Sequence, residues 1–297
     1  MKQSQKNSEN NITIWGISVT LLSVICFGIT TTFAKLAYAE GATALTLILS
    51  RFLTAALLFS IACVIIKKPV TLKLEECYLM GVGTFIWCVS TATYLVSVYF
   101  IPVGLAAIIF FTFPVIINTY LLLKEKRKKT SWVIPFWAFG GLTLSIGPSF
   151  GVLNPIGLSL AFISAVSTAG LYLMTQHLVG KHGLLKVALY MNTGGAVLTG
   201  FVLMAIGETG LPSYNNGFST GWMGFIGASI AYPIAVLFMF KSIHALGPAK
   251  TSILFNLEPI ISIAAAFLLL SEKLNITQFI GVMIVFSAII LTTLQKD

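Results

Sequence analysis

The stretch Ser252-Ile-Leu-Phe-Asn-Leu-Glu-Pro-Ile-Ile-Ser-Ile-Ala-Ala-Ala-Phe-Leu-Leu-Leu-Ser-Glu-Lys-Leu274 is apolar over most of its length, yet Glu258 and Pro259 lie side by side within it. A carboxylate in hydrocarbon costs free energy, and a proline removes one backbone hydrogen bond of a helix. Because Pro259 cannot donate to the carbonyl of Phe255, four residues earlier, we expect that acceptor to be left free. The pair predicts either a structural compensation or a functional role.

The composition predicts that this stretch lies in a membrane. The chain has 297 residues, of which 57% are hydrophobic and 9% are charged, whereas a soluble domain carries about 25% charged residues. Residues 77–123 and residues 131–176 contain no charge at all. Each of these segments is long enough for two helical spans of about 20 residues.

Apolar segments of this kind predict ten transmembrane helices. They cover residues 12–38, 43–66, 77–100, 103–123, 131–148, 155–178, 186–206, 219–240, 248–270 and 275–294. The sequence therefore predicts an all-α membrane protein that crosses the inner, cytoplasmic membrane several times and has the lipid bilayer as its surroundings.

The basic residues predict the orientation of these spans. Fifteen of the 18 Lys and Arg residues fall on segments that share the side of the N-terminus, including the run Lys124–Lys129. Lys35 and Lys273 fall on the other side, and Arg51 lies within a span. Because cytoplasmic loops are enriched in Lys and Arg, we expect both termini to be cytoplasmic. This distribution explains the net charge of +9, so no nucleic-acid partner is expected.

Two segments of the chain resemble each other and predict an internal repeat. Residues 103–125 are similar to residues 248–273 when Pro114 is aligned with Pro259. Since each half would hold five spans, the second half would enter the membrane from the opposite side, and such inverted repeats can open a central site to each face in turn. The predicted organisation is a cytoplasmic tail over residues 1–11, a first five-helix repeat over 12–148, an outer connecting loop over 149–154, a second repeat over 155–294 and a C-terminal tail over 295–297.

The last third of the chain carries a family resemblance. Leu246-Gly-Pro-Ala-Lys-Thr-Ser-Ile-Leu-Phe-Asn-Leu-Glu-Pro259, followed by Leu270-Ser-Glu-Lys-Leu274, resembles the drug/metabolite transporter superfamily in its EamA-like ten-helix branch. The first half departs from that pattern, with Leu123-Lys-Glu-Lys126 where the family usually has a Leu-Gly-Glu-like ending. The resemblance implies a carrier of small organic solutes, which in this family are often amino acids or other metabolites moved outward.

Two charged residues near mid-depth are the first candidates for a site. Arg51 and Glu258 could form a gate or a proton-linked pair, or Arg51 could hold a substrate carboxylate with its planar fork. A permanent buried ion pair, or an Arg51 that snorkels outward, is the structural alternative. For Glu258, we weigh a gating or proton-linked role against a structural ion pair and against a carboxyl bonded to neighbouring backbone.

Aromatic and hydroxyl side chains complete the predicted site. Thr84, Trp87, Thr91 and Tyr94 recur at steps of three and four residues and so share one helix face, which could line a cavity for an organic solute. Helix packing explains the same spacing without a ligand. The predicted substrate-binding residues are Arg51, Trp87, Thr91, Tyr94, Thr168, Tyr172, Asn192 and Asn256, and the predicted coupling or gating residues are Glu258, Pro114 and Pro259.

Enzymatic function is not predicted by this sequence. Its only Asp is Asp297, and Glu258 is the sole carboxylate at mid-membrane, so the acid clusters that serve metal binding and proton transfer are missing. We expect no cofactor and no metal site. The predicted function is a secondary transporter that exports an amino acid or related solute by alternating access, with the proton as candidate coupling ion. Uptake or exchange of a larger metabolite, a channel and a membrane scaffold are the alternatives.

Overall fold

The computed structural model describes residues 2–67, 71, 73–125, 133–146, 154–207, 210–212, 220–270 and 276–294. All elements in these ranges are helices, and no strand occurs there. Residues 149–153 of the predicted outer loop 149–154 lie outside the described part of the chain, as do the basic residues 126–129 and the C-terminal residues 295–297.

The described residues form eleven helical segments. They are α1 (Lys2–Ala39), α2 (Ala44–Ile65), α3 (Leu74–Ser97), α4 (Val103–Phe110), α5 (Phe113–Glu125), α6 (Val133–Ile146), α7 (Pro155–His182), α8 (Leu184–Ile206), α9 (Thr220–Leu254), α10 (Leu257–Leu270) and α11 (Ile276–Leu294). Seven segments of the described chain are helical, long and apolar enough to cross a membrane, and one of these covers α4 and α5 together. Helices α6 and α11 are apolar but shorter.

Helix α1 starts ten residues before the predicted boundary at residue 12. The sequence has no Pro or Gly before Gly16, so no residue in this segment is a strong helix breaker. Helix α9 continues past the predicted end at residue 240, and it is interrupted by non-helical geometry at Gly247, whose φ is 78°. A positive φ of this kind is readily adopted only by glycine, and Pro248 follows at once.

The predicted span 103–123 is broken into two helices in the structure. Helix α4 ends at Phe110 and α5 begins at Phe113. Pro114 is the second residue of α5. The first backbone N–H groups of a helix have no intrahelical partner, so a proline is tolerated there and the break precedes it.

The predicted span 248–270 is broken at a similar place. Helix α9 ends at Leu254, and α10 begins at Leu257 with Pro259 as its third residue. The expectation that Pro259 leaves the Phe255 carbonyl free is wrong, because this oxygen accepts a hydrogen bond from the Glu258 backbone N–H at 3.0 Å. The turn at the break therefore satisfies the acceptor that the proline leaves.

Helices from the two halves of the chain pack against one another throughout the bundle. Helix α1 packs along α9, α3 along α7, α2 along α8, and α6 along α11. Glycines permit the closest approaches: a Cβ added at Gly224 on α9 would overlap the Phe33 carbonyl of α1, and Gly141 on α6 faces Gly281 on α11. Small residues at such contacts are typical of membrane helices.

Polar contacts between helices lie inside the bundle, and many large apolar side chains are exposed at its periphery. Ser90 bonds Thr168 between α3 and α7 at 2.6 Å. At the periphery, Leu57, Phe201 and Met204 are more than half exposed. This distribution suits a lipid surrounding, in which polar groups must find partners inside the protein.

The two ends of the bundle differ in their contacts. At the end where α1 stops and α9 starts, called the Ala39 end, the Thr220 hydroxyl donates to the Glu40 carboxylate at 2.5 Å. At the opposite end, called the His182 end, the carboxylate of Glu76 on α3 lies 3.0 Å from His182 Nδ1 on α7 and 2.7 Å from Lys186 Nζ on α8. This charged cluster ties three helices together at the His182 end.

Candidate functional site

A cavity of about 530 Å³ lies inside the bundle, within the size range of sites for small organic ligands. Residues from α1 to α7, α9 and α10 line it, so both halves of the chain contribute to one site. Phe111, in the break between α4 and α5, and Phe255, in the break between α9 and α10, both reach its wall. The two broken helices therefore meet at the cavity.

The cavity lies toward the Ala39 end. Its lining includes Lys35, four residues before the end of α1, Gly104 at the start of α4 and Ile146 at the end of α6. Toward the His182 end the interior is packed: Leu178 and Met191 are fully buried and meet at Gly83, where an added Cβ would lie 3.1 Å from the Met191 methyl group.

Arg51 and Glu258 present charged groups to the cavity. Both line it, and each lies within electrostatic range of the other. Within the described residues, however, neither side chain has a hydrogen-bond or ion-pair partner, and Arg51 Nε is buried without one. Among the residues that the structure describes, neither the structural ion pair nor the backbone-bonded carboxyl, which the sequence left open, is therefore formed.

Aromatic side chains form much of the remaining wall. Tyr172 lies between the two breaks, with its ring centroid 5.2 Å from that of Phe113 and 5.8 Å from that of Phe255. On the other side, the Trp87 ring lies 5.9 Å from Phe52 and 6.4 Å from Tyr232. Rings at these separations make favourable edge and tilted contacts, so the wall is both apolar and well packed.

Eight of the residues predicted for the site are brought together here. Those on the wall are Arg51, Trp87, Thr91, Tyr94, Thr168, Tyr172, Glu258 and Pro259. Thr84, on the same predicted helix face, is instead buried against Gly194 of α8. Their position makes the substrate-binding and gating roles feasible, and those roles remain predictions.

Three predicted residues do not lie on the wall. Asn192 is fully buried in α8, where its side-chain amide donates to the Ala188 carbonyl at 2.7 Å and its Oδ1 has no partner. Asn256 is buried in the break before α10, also with an unpartnered Oδ1. Pro114 is buried, and its carbonyl accepts from the Asn118 side chain at 2.7 Å. Of the eleven predicted residues, only the other eight can therefore contact a solute directly in this conformation.

Several wall residues were not predicted from the sequence. They are mainly aromatic, and Phe27, Phe52, Tyr232 and Phe255 stand out because their rings contact one another. The repeat contained a usable signal for one of them, since the alignment of Pro114 with Pro259 also pairs Trp87 with Tyr232. No such signal exists for Phe27 and Phe52, because the sequence around a phenylalanine in an apolar span does not show whether its ring lines a cavity or packs between helices.

Comparison with known families gives a match over almost the whole chain. The EamA-like transporter family matches twice, over residues 14–147 and again over residues 155–294. The chain belongs to the EamA-like transporter family. The two matched segments have nearly the same bounds as the two predicted repeats, residues 12–148 and 155–294. The family is one of transporters.

Curated relatives carry the same general description. YcbK of Bacillus subtilis (strain 168), an uncharacterized transporter, is 25% identical over 279 residues, which cover 90% of this chain and 88% of YcbK. PecM of Dickeya dadantii (strain 3937) is 26% identical over 199 residues, or 66% of each chain. YedA of Escherichia coli (strain K12), an uncharacterized inner membrane transporter, is 26% identical over 200 residues, covering 66% of this chain and 63% of YedA. The matches to PecM and YedA thus span slightly less than two thirds of those proteins.

A solved crystal structure of another protein has the same fold. The alignment covers 93% of this chain and 98% of the chain in that crystal structure, with a TM-score of 0.73 and 14% sequence identity. At this identity the likeness concerns the fold alone. It supports the arrangement of helices around the cavity and carries no information on the ligand.

Proposed function

We propose that this EamA-like protein is a secondary transporter that carries a small organic metabolite by alternating access, and that it exports an amino acid or a related solute. The observation that carries the proposal is the cavity itself. It lies between two broken helices, and its wall carries two cations, Lys35 and Arg51, and one acid, Glu258. Neither Arg51 nor Glu258 has a hydrogen-bond or ion-pair partner among the described residues. Uncompensated charges inside a membrane bundle typically mark a solute or ion pathway.

The protein is a multi-pass inner membrane protein. Seven described segments are long and apolar enough to cross a bilayer, and the family and its inner membrane relative YedA agree with that location. Residues at the bundle periphery are apolar and exposed, as a lipid contact requires.

Two inverted five-helix repeats are the arrangement that we infer for the ten spans. The family matches each half separately. In such a repeat, α1 corresponds to α7 and α3 corresponds to α9. The contact between α1 and α9 is then equivalent to the contact between α7 and α3, and both pairs are packed in the structure. Each half also breaks its fourth predicted span shortly before a proline, Pro114 or Pro259. Because each half has an odd number of spans, similar halves must have opposite orientations.

The proposed orientation places the His182 end in the cytoplasm, together with both termini. Basic residues of the described loops and helix ends gather there, among them Lys67, Lys73, Lys181 and Lys186, as the positive-inside rule requires. The cavity, which lies toward the Ala39 end, then corresponds to a state open to the outside. The Glu76 cluster with His182 and Lys186 supports closure of the cytoplasmic end in this state.

Closure of the cytoplasmic end hides polar atoms that an inward-open state could expose. Asn192 Oδ1 on α8 and Thr175 Oγ1 on α7 are buried without partners. Thr175 lies seven residues before the end of α7, and Asn192 lies eight residues after the start of α8, so both are about 10 to 12 Å from the His182 end at 1.5 Å per residue. Water or solute would satisfy both atoms if the cavity opened at that end.

Glu258 is the proposed coupling residue. A carboxyl in apolar surroundings favours its protonated form, and water or a cation favours its ionised form. A change of access at the cavity would therefore change the proton occupancy of Glu258 and could link transport to a proton gradient. The lack of a partner for its carboxyl among the residues that the structure describes supports this role over a structural one.

The alternatives can be separated from a carrier by one experiment. Purified protein is first screened in detergent for solutes that raise its melting temperature, because a ligand selective for the folded state stabilises it. Hits are then tested for counterflow in proteoliposomes. A carrier gives saturable accumulation of labelled solute driven by unlabelled solute on the other side. A channel gives equilibration without counterflow, and an enzyme or scaffold gives neither.

A further inference from the structure

The charges of the cavity restrict the chemistry of its ligand. Lys35, Arg51 and Glu258 line the same space. Arg51 and Glu258 lie within electrostatic range of each other, and these two have no hydrogen-bond or ion-pair partner among the described residues. A ligand with a single charge would satisfy one of them and leave the other desolvated, which costs free energy. A ligand with a carboxylate and an ammonium close together satisfies both, since the Arg51 fork suits a carboxylate and the Glu258 carboxylate suits an ammonium.

Four hydroxyl groups of the wall are bonded within the protein. Ser90 and Thr168 bond each other at 2.6 Å. Thr31 and Ser262 bond each other at 2.8 Å, and Ser262 also donates to the Glu258 backbone carbonyl at 3.0 Å. These four groups are satisfied inside the protein, whereas the buried Tyr232 hydroxyl of the same wall has no partner among the described residues and is open to a polar group of the ligand.

The rest of the wall favours a flat apolar body. Ten aromatic side chains line the cavity, including Phe27, Phe52, Trp87, Tyr172, Tyr232 and Phe255. The Tyr172 and Phe255 rings meet edge to face with their centroids 5.8 Å apart, and the Phe27 and Tyr232 rings do so at 6.2 Å. Aromatic rings prefer such offset and edge contacts with further rings, so a ligand ring extends the same packing.

We propose that the cavity binds an α-amino acid with an aromatic side chain, with its carboxylate on Arg51, its ammonium on Glu258 and its ring against the aromatic wall. This assignment rests on the proposed transport function, because it names the solute of the same cavity. Arg51 and Glu258 lie on α2 and α10, one in each half of the chain, so the ligand would bridge the two halves.

The first test uses ligand analogues with the unchanged protein. Binding of phenylalanine to purified protein is compared with binding of phenethylamine, which lacks the carboxylate, and of 3-phenylpropionate, which lacks the amine. Each charged contact is worth a factor of about ten or more in affinity, so we expect both analogues to bind at least about tenfold more weakly. Alanine, which keeps both charges but lacks the ring, should also bind more weakly. Equal binding of either phenyl analogue, or of alanine, would overturn the assignment.

The second test pairs the analogues with variants. In Arg51→Gln, phenylalanine should lose its advantage over phenethylamine but keep it over 3-phenylpropionate. In Glu258→Gln, the reverse is expected. Charge removal away from the cavity, in Lys241→Gln and Glu75→Gln, should leave the pattern of the unchanged protein. If both cavity variants fold but bind all the ligands equally weakly, Arg51 does not bind the carboxylate and Glu258 does not bind the ammonium, and the assignment is wrong.

If Arg51→Gln fails to fold, Arg51→Lys takes its place in the test with ligand analogues. A lysine keeps the charge without the planar fork, so the advantage of phenylalanine over phenethylamine should shrink but persist. An unchanged advantage would contradict the proposed carboxylate contact.

Failure of this inference is distinguishable from failure of the transport function. If these ligands do not bind, but another solute shows saturable counterflow, the amino-acid assignment is wrong and the carrier stands. If phenylalanine binds with the expected pattern, but neither it nor any other solute shows counterflow, the binding site stands and the transport function is wrong.

Discussion

Arg51 acts, in our account, through the geometry of its guanidinium and not only through its charge. Its side chain lines the cavity and has no protein partner among the described residues. Replacement by Lys keeps the charge but loses the two-pronged contact. We therefore expect Arg51→Lys to reduce counterflow by about tenfold and Arg51→Gln to reduce it further.

The control for this prediction is Lys241→Gln. Lys241 lies over the Phe238 ring at 5.2 Å and is not on the cavity wall, so its loss should leave counterflow unchanged. Counterflow rates in the Lys variant equal to those of the unchanged protein, at equal abundance, would favour an arginine that merely snorkels toward the membrane surface.

Glu258 is predicted to couple transport to protons. Replacement by Gln removes the titrating group but keeps the shape of the side chain. We expect Glu258→Gln to exchange solute when the solute is supplied at higher concentration, and to lose accumulation driven by a pH gradient. Transport is measured across external pH in proteoliposomes with and without the gradient.

One result would contradict the coupling role of Glu258, and the folding of the variant is checked separately. If Glu258→Gln retains gradient-driven accumulation with an unchanged pH dependence, the acid has no coupling role. Poor folding that is partly rescued by also neutralising Arg51 would instead indicate an ion pair that forms in another conformation. Size-exclusion profiles of the purified variants distinguish a folding defect from a transport defect.

The helix breaks are the elements that we expect to move during transport. Pro259 is the third residue of α10 and prevents a helical bond to Phe255, whose carbonyl bonds the Glu258 N–H instead. Pro259→Ala would permit a continuous helix across the break. We expect a change in stability of less than about 1 kcal/mol, because a first-turn proline is tolerated, together with slower exchange of solute.

A matched control exists for this change. Pro135 is the third residue of α6, as Pro259 is of α10, and it lies outside the cavity wall and the breaks. Pro135→Ala should leave the exchange rate unchanged. If Pro259→Ala and Pro135→Ala affect exchange equally, the break before α10 has no special role in transport.

The elements show how far the sequence alone could lead. The lengths of the apolar, charge-free segments predict the positions of most spans, because these features depend only on the local sequence. The breaks before Pro114 and Pro259 were missed, because a proline in a membrane helix is compatible with a kink, a break or a tolerated defect until its neighbours are known.

The candidate site was predicted only in part for a related reason. Charged residues such as Arg51 and Glu258 are conspicuous in an apolar chain, and both lie on the wall. Phe27 and Phe52 also lie there, but nothing in their sequence context separates them from lipid-facing or packing phenylalanines. Asn192 was conspicuous and yet is buried away from the wall, because polarity marks an interior position without saying which interior surface it meets.

At the scale of the whole molecule, the topology can be tested at exposed described positions. Leu74 at the His182 end and Tyr99 at the Ala39 end are 89% and 87% exposed. In a cysteine-free background, Tyr99→Cys should react with an impermeant thiol reagent in intact cells, and Leu74→Cys should react only after the membrane is permeabilised. The opposite pattern would invert the proposed orientation and place the cavity on the cytoplasmic side.

Alternating access is the central claim, and paired accessibility tests it most directly. Thr91 lines the cavity, whereas Asn192 is buried toward the His182 end. In a cysteine-free background, we predict that Thr91→Cys reacts from the outside and Asn192→Cys from the cytoplasmic side. Conditions that trap one state, such as a saturating ligand on one side, should raise one reactivity as they lower the other. Reactivities that rise and fall together, or an Asn192→Cys that never reacts although the protein transports, would contradict alternating access at this cavity.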